Sequence, residues 1–369
     1  MNNDIELAVV KFRSLLMEQV ERAKRMGNEI KTHDSNKKQT VIGIIEGDGI
    51  GPIIMQETER LLRFLLKDEI KNNEIVLHKI KGLTIDERLK QGCSVPDLVL
   101  QEIKKCDVLL KGPTETPKGG KMESANVALR RELDLYANVR PVSIPEEGIE
   151  WTFFRENTEG EYTLGSKGIE IDNLLSMDFK VTTVLGTRRI AKKAFEYARK
   201  NGKNHVSIVT KANIMKKTDG MFSKICNEVA AEYPDIDVDD WYIDIMTANL
   251  VNKNIRNQFQ VFILPNLYGD IITDEAAQIQ GGVGTAGSAN IGDSYAMFEA
   301  IHGTAPRLIA EGKGDYANPS SLMKAASMML KHIGLFEKAE LIEKALIKVS
   351  HDETMTAKEY TDQIIKCLV

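Results

Sequence analysis

The feature that most constrains the fold is a repeated alternation of short apolar runs with longer helical stretches. The first apolar run, residues 41–45, is rich in β-branched side chains, and a glycine-rich turn at 47–52 joins it to a helical stretch at 54–66. The order recurs, with strand-like runs at 108–110, 206–209 and 261–264 and helical stretches at 96–105, 188–200 and 221–232. This alternation predicts an α/β fold with a mostly parallel sheet.

Length and composition narrow the class of protein. A chain of 369 residues fits two domains. The net charge of −5 argues against a nucleic-acid partner, and the chain lacks the run of about 18 apolar residues that a membrane span needs. Charges interrupt the first 26 residues, so we see no secretory signal, and the four cysteines form no CxxC pair. We therefore expect a soluble, cytoplasmic protein with no nucleic-acid or membrane partner.

The N-terminal 39 residues predict a helical extension. Apolar side chains spaced three or four residues apart would form one helix face, and charges fill the other: Val9, Phe12, Leu16, Val20 and Ala23. Binding to a membrane surface is one interpretation. Because the helix also carries acids, we favour docking on its own or a neighbouring subunit.

The glycine turn does not match a dinucleotide-binding fingerprint. That fingerprint has the spacing G-x-G-x-x-G and an acid about 20 residues further on. Here Gly47, Gly49 and Gly51 alternate, and Pro52 stands where a helix begins. The pattern indicates a tight strand-to-helix turn and argues against a classical Rossmann fold.

Several polar side chains predict a site for an anion with more than one carboxylate. Residues 124–135 have helical spacing, Ser124 stands at the N-cap position, and Asn126 and Arg130 share a face. Alone, this pattern fits an ordinary capped surface helix better. Arg140 and Arg155 in strand-like apolar runs strengthen the anion interpretation, because an arginine in such a position needs a bound anion or a partner acid.

Three aspartates are candidate ligands for a divalent cation. Asp270 and Asp274 are four residues apart at the predicted start of a helix, where both carboxylates would share one face. Asp244 stands in an apolar, strand-like run, where an acid is usually paired or bound to metal. An acidic first helical turn is the alternative explanation for the first two. Oxygen ligands alone favour Mg²⁺ or Mn²⁺.

Six motifs in a fixed order resemble the β-decarboxylating dehydrogenases that act on isocitrate, isopropylmalate, homoisocitrate and tartrate. The resemblance runs from about residue 41 to the C-terminus. The motifs are Gly-Asp-Gly-Ile-Gly-Pro (47–52), Lys-Gly-Pro with Thr-Pro (111–117), Arg-Glu-Asn-Thr-Glu-Gly-Glu-Tyr (155–162), Thr-Lys-Ala-Asn-Ile-Met (210–215), Asn-Leu-Tyr-Gly-Asp-Ile with a following Asp (266–274) and His-Gly-Thr-Ala-Pro (302–306).

The resemblance implies an isocitrate/isopropylmalate dehydrogenase-like fold, with two α/β domains around a central cleft. Residues 40–135 and 280–369 would form the large, cofactor-side domain. Residues 136–279 would form the small domain that binds substrate and dimerises, and residues 1–39 would be the extension.

The same resemblance assigns a substrate. Isocitrate enzymes have the pattern Ser-x-Asn-x-x-x-Arg, which Ser124, Asn126 and Arg130 match in full, whereas isopropylmalate enzymes place apolar residues there. A polar shell would leave an isopropyl group unpacked. We therefore expect oxidation and decarboxylation of isocitrate to 2-oxoglutarate, with homoisocitrate or 3-isopropylmalate as alternatives.

By resemblance, Arg130, Arg140 and Arg155 would bind the substrate carboxylates, and Tyr162 and Lys211 would be the acid–base pair. Mg²⁺ or Mn²⁺ would lie on the three aspartates already named. In this family the lysine and one metal-binding aspartate come from the neighbouring subunit, which implies a homodimer or larger assembly with shared active sites. A non-catalytic regulatory subunit is an alternative of another class.

The cofactor would be NAD or NADP. By resemblance, Thr116 and Glu299 would lie near the nicotinamide. Residues near the adenosine would be His302, Gly303, Thr304, Ala305, Arg307 and Asn318. Arg307 favours NADP because it could pair with a 2′-phosphate. Leu308, Ala357 and Thr361 stand where bacterial NADP enzymes carry tyrosine or arginine, which gives a slight preference for NAD.

Overall fold

The computed structural model describes residues 2–26, 39–117, 122–172, 174–282, 286–352 and 354–368. Residues 27–38 of the predicted extension lie outside this set. The strands are β1 (Thr40–Ile45), β2 (Ile75–Lys79), β3 (Val108–Lys111), β4 (Ala137–Ile144), β5 (Ile149–Glu156), β6 (Ile169–Ile171), β7 (Leu175–Met177), β8 (His205–Thr210), β9 (Asp237–Tyr242), β10 (Val261–Leu264), β11 (Gly287–Ile291) and β12 (Ala296–Ala300). The helices are α1 (Asn2–Arg25), α2 (Gly51–Leu65), α3 (Lys67–Lys71), α4 (Ile85–Gln91), α5 (Asp97–Ile103), α6 (Ala125–Glu132), α7 (Val184–Lys200), α8 (Thr218–Ala230), α9 (Ile243–Val251), α10 (Asn266–Gln280), α11 (Pro306–Ala310), α12 (Ser320–His332), α13 (Phe336–Lys348) and α14 (Ala357–Lys366).

The chain divides into two compact units. Unit 1 comprises the described residues of Met1–Thr32 and Tyr136–Ala276, and unit 2 those of His33–Leu135 and Ala277–Val369. In unit 1 the strands follow the order β4-β5-β10-β8-β9, in which only the β4–β5 pair is antiparallel. In unit 2 the order is β2-β1-β3-β12-β11, in which only the β11–β12 pair is antiparallel. The predicted α/β class with mostly parallel strands is confirmed.

Each unit has its own apolar core. In unit 1, Trp151 and Phe153 on β5 are buried against Phe262 on β10, and the two phenylalanine rings stack with centroids 4.3 Å apart. In unit 2, Ile45 and Leu109 on neighbouring strands share a cluster with Leu129 of α6. Because α6 is packed into this core, the polar side chains on its other face have a fixed position.

The glycine turn after β1 is shaped by close backbone contacts. Gly47 and Gly49 have φ angles of 77° and 59°, in the left-handed region that favours glycine. A Cβ atom on Gly47 would lie 2.1 Å from the carbonyl oxygen of Pro113, and one on Gly49 would lie 2.2 Å from that of Thr304. The turn therefore packs directly on two loops that carry predicted cofactor-binding residues.

Helix α1 docks on unit 1, but through a face other than the predicted one. Leu15 and Gln19 are buried, whereas Phe12, Leu16 and Val20 are 45%, 53% and 44% exposed. The predicted face is thus largely exposed in the single chain, although the ring of Phe12 lies 5.5 Å from that of Phe179, and docking of this face on a neighbouring subunit stays a prediction. Polar contacts explain the orientation, because ion pairs and hydrogen bonds between α1 and the rest of unit 1 fix which side of the helix faces inward.

None of the helices in the described ranges is long and apolar enough to cross a membrane.

Candidate active site

Helix α6 of unit 2 presents the predicted anion-binding side chains. Ser124 is its N-cap residue as predicted, but the hydroxyl makes no capping hydrogen bond within the described part of the chain. Asn126 accepts a hydrogen bond at 3.0 Å from the hydroxyl of Thr114, in the loop after β3. The Ser124 hydroxyl is thus not used to stabilise the helix, which leaves it for another partner.

Arg130 is fixed by a buried acid. One guanidinium nitrogen lies 3.3 Å from Glu299 Oε1 on β12, and the amide of Asn290 donates to the same oxygen at 2.8 Å. Lys111, at the end of β3 and fully buried, approaches Glu299 Oε2 at 3.3 Å. The Nε atom of Arg130 is buried without a hydrogen-bond partner among the described residues. A buried N–H group of this kind normally has a partner, so an acceptor from a ligand would complete the site.

The charges of this cluster depend on one another. Burial alone would raise the pKa of Glu299, but the positive charges of Lys111 and Arg130 and the hydrogen bond from Asn290 lower it to about 2. Burial lowers the pKa of Lys111, and the charge of Glu299 opposes that change. Glu299 is only 5% exposed, and both of its oxygens are occupied. The geometry makes it the anchor of Arg130, while direct contact with the cofactor stays a prediction.

The loop after β12 has an unusual backbone. Ala305 adopts a φ of 46° and a ψ of 57°, a left-handed conformation that is uncommon for alanine, and Pro306 then begins α11. Thr304 is buried, and its carbonyl accepts a hydrogen bond from the backbone of Ile50 in the glycine turn at 3.1 Å. Backbone outliers of this kind concentrate at ligand sites. Gly303 lies in the same loop, next to His302.

His302 is held next to that loop. Its Nδ1 lies 3.0 Å from the carbonyl oxygen of Gly303. Burial lowers the pKa of the imidazole, which favours the neutral ring. The Nε2 atom is buried and, in the ranges that the structure covers, finds no hydrogen-bond partner. A neutral ring with a free nitrogen suits stacking and hydrogen bonding to a base.

The remaining predicted cofactor residues of unit 2 lie nearer the surface. The side chain of Arg307 is 92% exposed and pairs with Glu311 at 2.7 Å. Lys313 pairs with the other oxygen of Glu311 at 3.1 Å. Asn318 accepts a hydrogen bond from the backbone of Ser320 at 2.9 Å, at the start of α12. Thr116 is exposed in the loop after β3.

In unit 1, Arg155 is the centre of the second group of predicted residues. It stands near the carboxyl end of β5 and is 1% exposed. Its guanidinium donates to Asn266 Oδ1 at 2.8 and 2.6 Å and pairs with Asp270. Tyr162 donates its hydroxyl proton to the other oxygen of Asp270 at 2.7 Å, and its ring lies 5.3 Å from the guanidinium carbon of Arg155. The structure therefore brings three predicted residues together.

Arg140 on β4 joins the same group. It donates to Thr273 at 2.6 Å and to Asp274 at 2.9 Å, and it lies 3.6 Å from Asp270. Its Nε is a second buried guanidinium nitrogen for which the described residues supply no acceptor. Two arginines on neighbouring strands thus converge on a site where an anionic ligand would complete their hydrogen bonding.

Two details of the predicted acids are wrong. Helix α10 begins at Asn266, so Asp270 and Asp274 lie in its second and third turns rather than at its start. Asp244 is not in a strand, because β9 ends at Tyr242 and Asp244 occupies the first turn of α9 with a side chain that is 60% exposed. Its apolar neighbours differ in exposure, since Ile245 is 45% exposed and Met246 is buried.

Lys211 follows β8 directly and pairs with Asp244 at 2.5 Å. The hydrogen bond from Lys211 lowers the pKa of that carboxyl. Across the described residues, no three His, Cys, Asp or Glu side chains gather where one metal ion could bind. A single chain therefore does not assemble Asp244 with Asp270 and Asp274.

The donor set nevertheless suits a hard cation. The carboxylates of Asp270 and Asp274 are 38% and 60% exposed, one helical turn apart on α10, and offer only oxygen ligands. A third carboxylate would have to come from outside this group of residues.

Sequence reasoning missed the residues that hold these groups. Asn266 stands in a quoted motif without a predicted role, although it fixes Arg155. Gly269 lies in the same motif, and a Cβ there would be 2.6 Å from Arg155 Cγ. Glu159 is 2% exposed, and its backbone carbonyl accepts a hydrogen bond from Asn266 at 2.9 Å. In the sequence, the spacing of acids and glycines within the motifs was the signal that could have indicated these supporting residues.

Comparison with known proteins identifies the family. The profile of the isocitrate/isopropylmalate dehydrogenase family matches residues 41–367. A Rickettsia felis protein named as an NADP isocitrate dehydrogenase is 42% identical over 336 residues, or 88% of this chain, and the match spans 66% of that relative's length. A Dictyostelium discoideum protein named as a regulatory subunit of mitochondrial NAD isocitrate dehydrogenase is 37% identical over 350 residues, which cover 90% of this chain and 93% of the relative.

A solved structure supports the same family assignment. The crystal structure of isocitrate dehydrogenase from Methylococcus capsulatus matches with a TM-score of 0.80 and 33% identity, covering 89% of this chain and 99% of that one. The predicted fold type and the resemblance are both confirmed. The chain belongs to the isocitrate/isopropylmalate dehydrogenase family.

Proposed function

We propose that this chain oxidises and decarboxylates isocitrate to 2-oxoglutarate and CO₂, with hydride transfer to NAD(P) and a requirement for Mg²⁺ or Mn²⁺. The observation that carries the proposal is the polar end of α6. Arg130 is fixed by Glu299 with its Nε lacking an acceptor in the described structure, and the Ser124 hydroxyl is not used as a cap. A third carboxylate on the substrate would supply those acceptors, whereas an isopropyl group would not.

The arginines would share the recognition of the substrate. Arg140 and Arg155 would bind the carboxylates common to all substrates of the family, and Ser124, Asn126 and Arg130 would bind the additional one. Guanidinium groups suit this task because they donate two parallel hydrogen bonds to a carboxylate. Because Arg155 and Arg130 are already fixed by Asn266 and Glu299, little side-chain freedom would be lost on binding.

Lys211, Asp244 and Tyr162 would move the protons. The bound cation would polarise the oxygen of the reacting carbon, and the nicotinamide would accept the hydride. Lys211 and Asp244 would act together, with the lysine passing a proton to the carboxylate and then accepting the proton of the 2-hydroxyl group. Tyr162, held by Asp270, would donate a proton to the carbon that has lost CO₂.

We propose that two copies of the chain complete each site. Lys211 and Asp244 pair with each other, and the described chain gathers no three acids for a metal. Apolar side chains next to them are open to solvent, with Ile214 67% and Ile245 45% exposed, as is typical of a surface that another protein covers. Lys211 and Asp244 of one copy would act with Asp270 and Asp274 of the other.

Complementation tests this arrangement. Lys211→Met and Tyr162→Phe should each abolish turnover, and mixed assemblies of the two inactive variants should regain part of it. In a mixed dimer one site would combine an intact tyrosine with an intact lysine. Co-expression of the two variants with different affinity tags would isolate the mixed form. Mixed dimers with no activity, given active tagged wild type, would contradict sharing of the site.

The residues of the cofactor site favour NAD over NADP by a small margin. Arg307 would attract a 2′-phosphate, but Glu311 already neutralises it, and Leu308, Ala357 and Thr361 add no donor of the kind that bacterial NADP enzymes use. Thr116, Glu299, His302, Gly303, Thr304, Ala305 and Asn318 would line the remainder of the cofactor site.

The direct test is reduction of NAD and of NADP by the purified chain with isocitrate or 3-isopropylmalate and Mg²⁺. Turnover should occur with isocitrate, and Arg130→Met should lose it. Arg131→Met is the matched control, because Arg131 neighbours Arg130 but its exposed side chain pairs with Glu123. Turnover of 3-isopropylmalate in preference to isocitrate would contradict the proposal that isocitrate is the substrate.

A regulatory role is the second candidate, favoured by the likeness to the Dictyostelium regulatory protein. Under that alternative the pure chain would bind isocitrate without reducing either cofactor. Binding measured by calorimetry, combined with no turnover, would select it. The presence of Tyr162, Lys211 and all three aspartates favours the catalytic role.

A further inference from the structure

Helix α1 lies outside the family match at 41–367, yet it reaches the motif at 155–162. A guanidinium nitrogen of Arg22 lies 3.1 Å from Glu159 Oε1, and the two side chains are 21% and 3% exposed. The two residues are 137 positions apart in the chain. An addition to the family fold therefore contacts the segment that begins with Arg155 and ends with Tyr162.

Glu159 links Arg22 to the substrate arginine. Its carboxylate also accepts hydrogen bonds from the backbone and hydroxyl of Thr183 at 2.8 and 2.6 Å. Its backbone carbonyl accepts from Asn266 at 2.9 Å, and the same amide group binds Arg155 through Oδ1. The position of Glu159 is therefore coupled to Asn266, and through Asn266 to Arg155.

A second buried acid next to Glu159 makes a nearby cation favourable. Glu156 is also 2% exposed, and its carboxylate accepts a hydrogen bond from the backbone of Glu159 at 2.6 Å. Two buried carboxylates in one turn repel each other, and a buried acid that loses its counter-charge is strongly destabilised. Arg189 donates to Thr158 at 3.2 Å and its charge acts on Glu156, and Arg22 contacts Glu159.

Arg22 is itself held in place. Its Nε donates to Gln19 Oε1 at 2.8 Å, and Gln19 is buried at 8% exposure. The other terminal nitrogen contacts the sulfur of Met26 at 3.6 Å. The guanidinium is therefore directed at Glu159 by neighbours on its own helix and does not move freely at the surface.

We propose that Arg22 of the N-terminal helix is a positioning residue for the active site: by pairing with Glu159 it holds the 156–162 turn that presents Arg155 and Tyr162. The enzymatic consequence rests on the proposed function, but the structural consequence does not. Loss of the pair would loosen the turn first, and the affinity for substrate would fall because Arg155 and Tyr162 lose their fixed positions.

Three variants test the proposal in the full-length protein. Arg22→Met removes the charge and keeps much of the apolar stem, and Arg22→Lys keeps the charge. Glu18→Gln is the matched control, because it removes a different α1 ion pair, that of Glu18 with Lys167 at 2.8 Å, which is exposed. Hydrogen exchange of the backbone amides at 157–163 is the activity-independent readout, and KM and kcat for isocitrate form the second.

Arg22→Met should speed exchange at 157–163 by about tenfold and leave exchange within α1 unchanged. The KM for isocitrate should rise by about tenfold, with a smaller change in kcat, since binding geometry is what suffers. Arg22→Lys should restore both in part, and Glu18→Gln should alter neither.

A double variant removes the ambiguity of a folding defect. If Arg22 acts through the charge of Glu159, adding Arg22→Met to Glu159→Gln should change exchange far less than it does in wild type. Equal effects in both backgrounds, or an effect of Glu18→Gln as large as that of Arg22→Met, would overturn the proposal. A wild-type chain without isocitrate turnover would reject the proposed function alone, since exchange would still report the pairing.

Discussion

Replacing Glu299 by glutamine should destabilise unit 2 through the loss of one charge, with little change of shape. In the folded protein the pKa of Glu299 is lowered from its ordinary value of 4.5 to about 2, although burial opposes the change. That difference corresponds to about 3 kcal/mol in favour of the folded, ionised state at about pH 7. The carboxylate is 5% exposed, so solvent screens this contribution little.

The loss should depend on pH in a defined direction. Because the folded pKa of Glu299 lies below the unfolded one, its stabilisation is present above 4.5 and disappears as the pH falls toward 2. The difference in free energy of unfolding between wild type and Glu299→Gln should therefore shrink to less than half by about pH 3. The same linkage predicts no further change in the difference between about pH 6 and pH 8.

Urea unfolding of both proteins, followed by circular dichroism across this pH range, measures the effect. Glu311→Gln is the control, because Glu311 also pairs with two cations, Arg307 and Lys313, but is exposed, and it should cost far less stability than Glu299→Gln. Adding Lys111→Met should recover part of the loss, since it removes the buried amine that Glu299 balances. A loss of less than about 1 kcal/mol at neutral pH, or an equal loss at about pH 3, would refute the reasoning.

Three further changes have defined outcomes. Gly269→Ala would place a Cβ 2.6 Å from Arg155 Cγ and should lower kcat/KM for isocitrate by about 100-fold, whereas Gly220→Ala, with no heavy atom within 4 Å, should not. Arg307→Asp should shift the ratio of kcat/KM for NAD over NADP upward by at least about tenfold, and an unchanged ratio would remove Arg307 from cofactor selection. Burial and a neighbouring acid raise the pKa of Glu156 to about 7, so at about pH 6 the folded state binds a proton that the unfolded chain has lost. The free energy of unfolding should therefore fall as the pH rises from about 5 to 7. Glu156→Gln should flatten that slope in urea titrations.

The sequence predicts elements well where an apolar run is buried on both faces. The strand predicted at 261–264 is β10 to the residue, and all four of its side chains are buried. Helix α10, which carries Asp270, begins earlier than predicted. The prediction placed a loop there because a glycine such as Gly269 usually indicates a loop. In the structure that glycine lies inside α10, where it makes room for Arg155. A steric requirement between distant residues has no local signature.

Apolar patterning also fails to separate a core from an exposed apolar surface. The apolar neighbours of Asp244 predicted a buried strand, but Tyr242 and Ile245 are 43% and 45% exposed. On the predicted face of α1, Leu16 and Val20 are likewise exposed in the single chain, while Gln19 is buried. Hydrophobicity describes the transfer of an apolar side chain out of water, and it is the same whether that side chain is then buried in a core or in a contact with another molecule. The pairing of Arg22 with Glu159 could not be predicted either, since it joins residues 137 positions apart.

The buried network around Glu299 has a consequence for how the protein responds to heat. Ordering a long arginine side chain costs about 1.5–2 kcal/mol of conformational entropy, and for Arg130 that cost is met when unit 2 folds, before any ligand arrives. Affinity for an anion at α6 therefore depends on the same interactions that stabilise the fold. On warming, loss of this network should therefore weaken anion binding and the folding of unit 2 together.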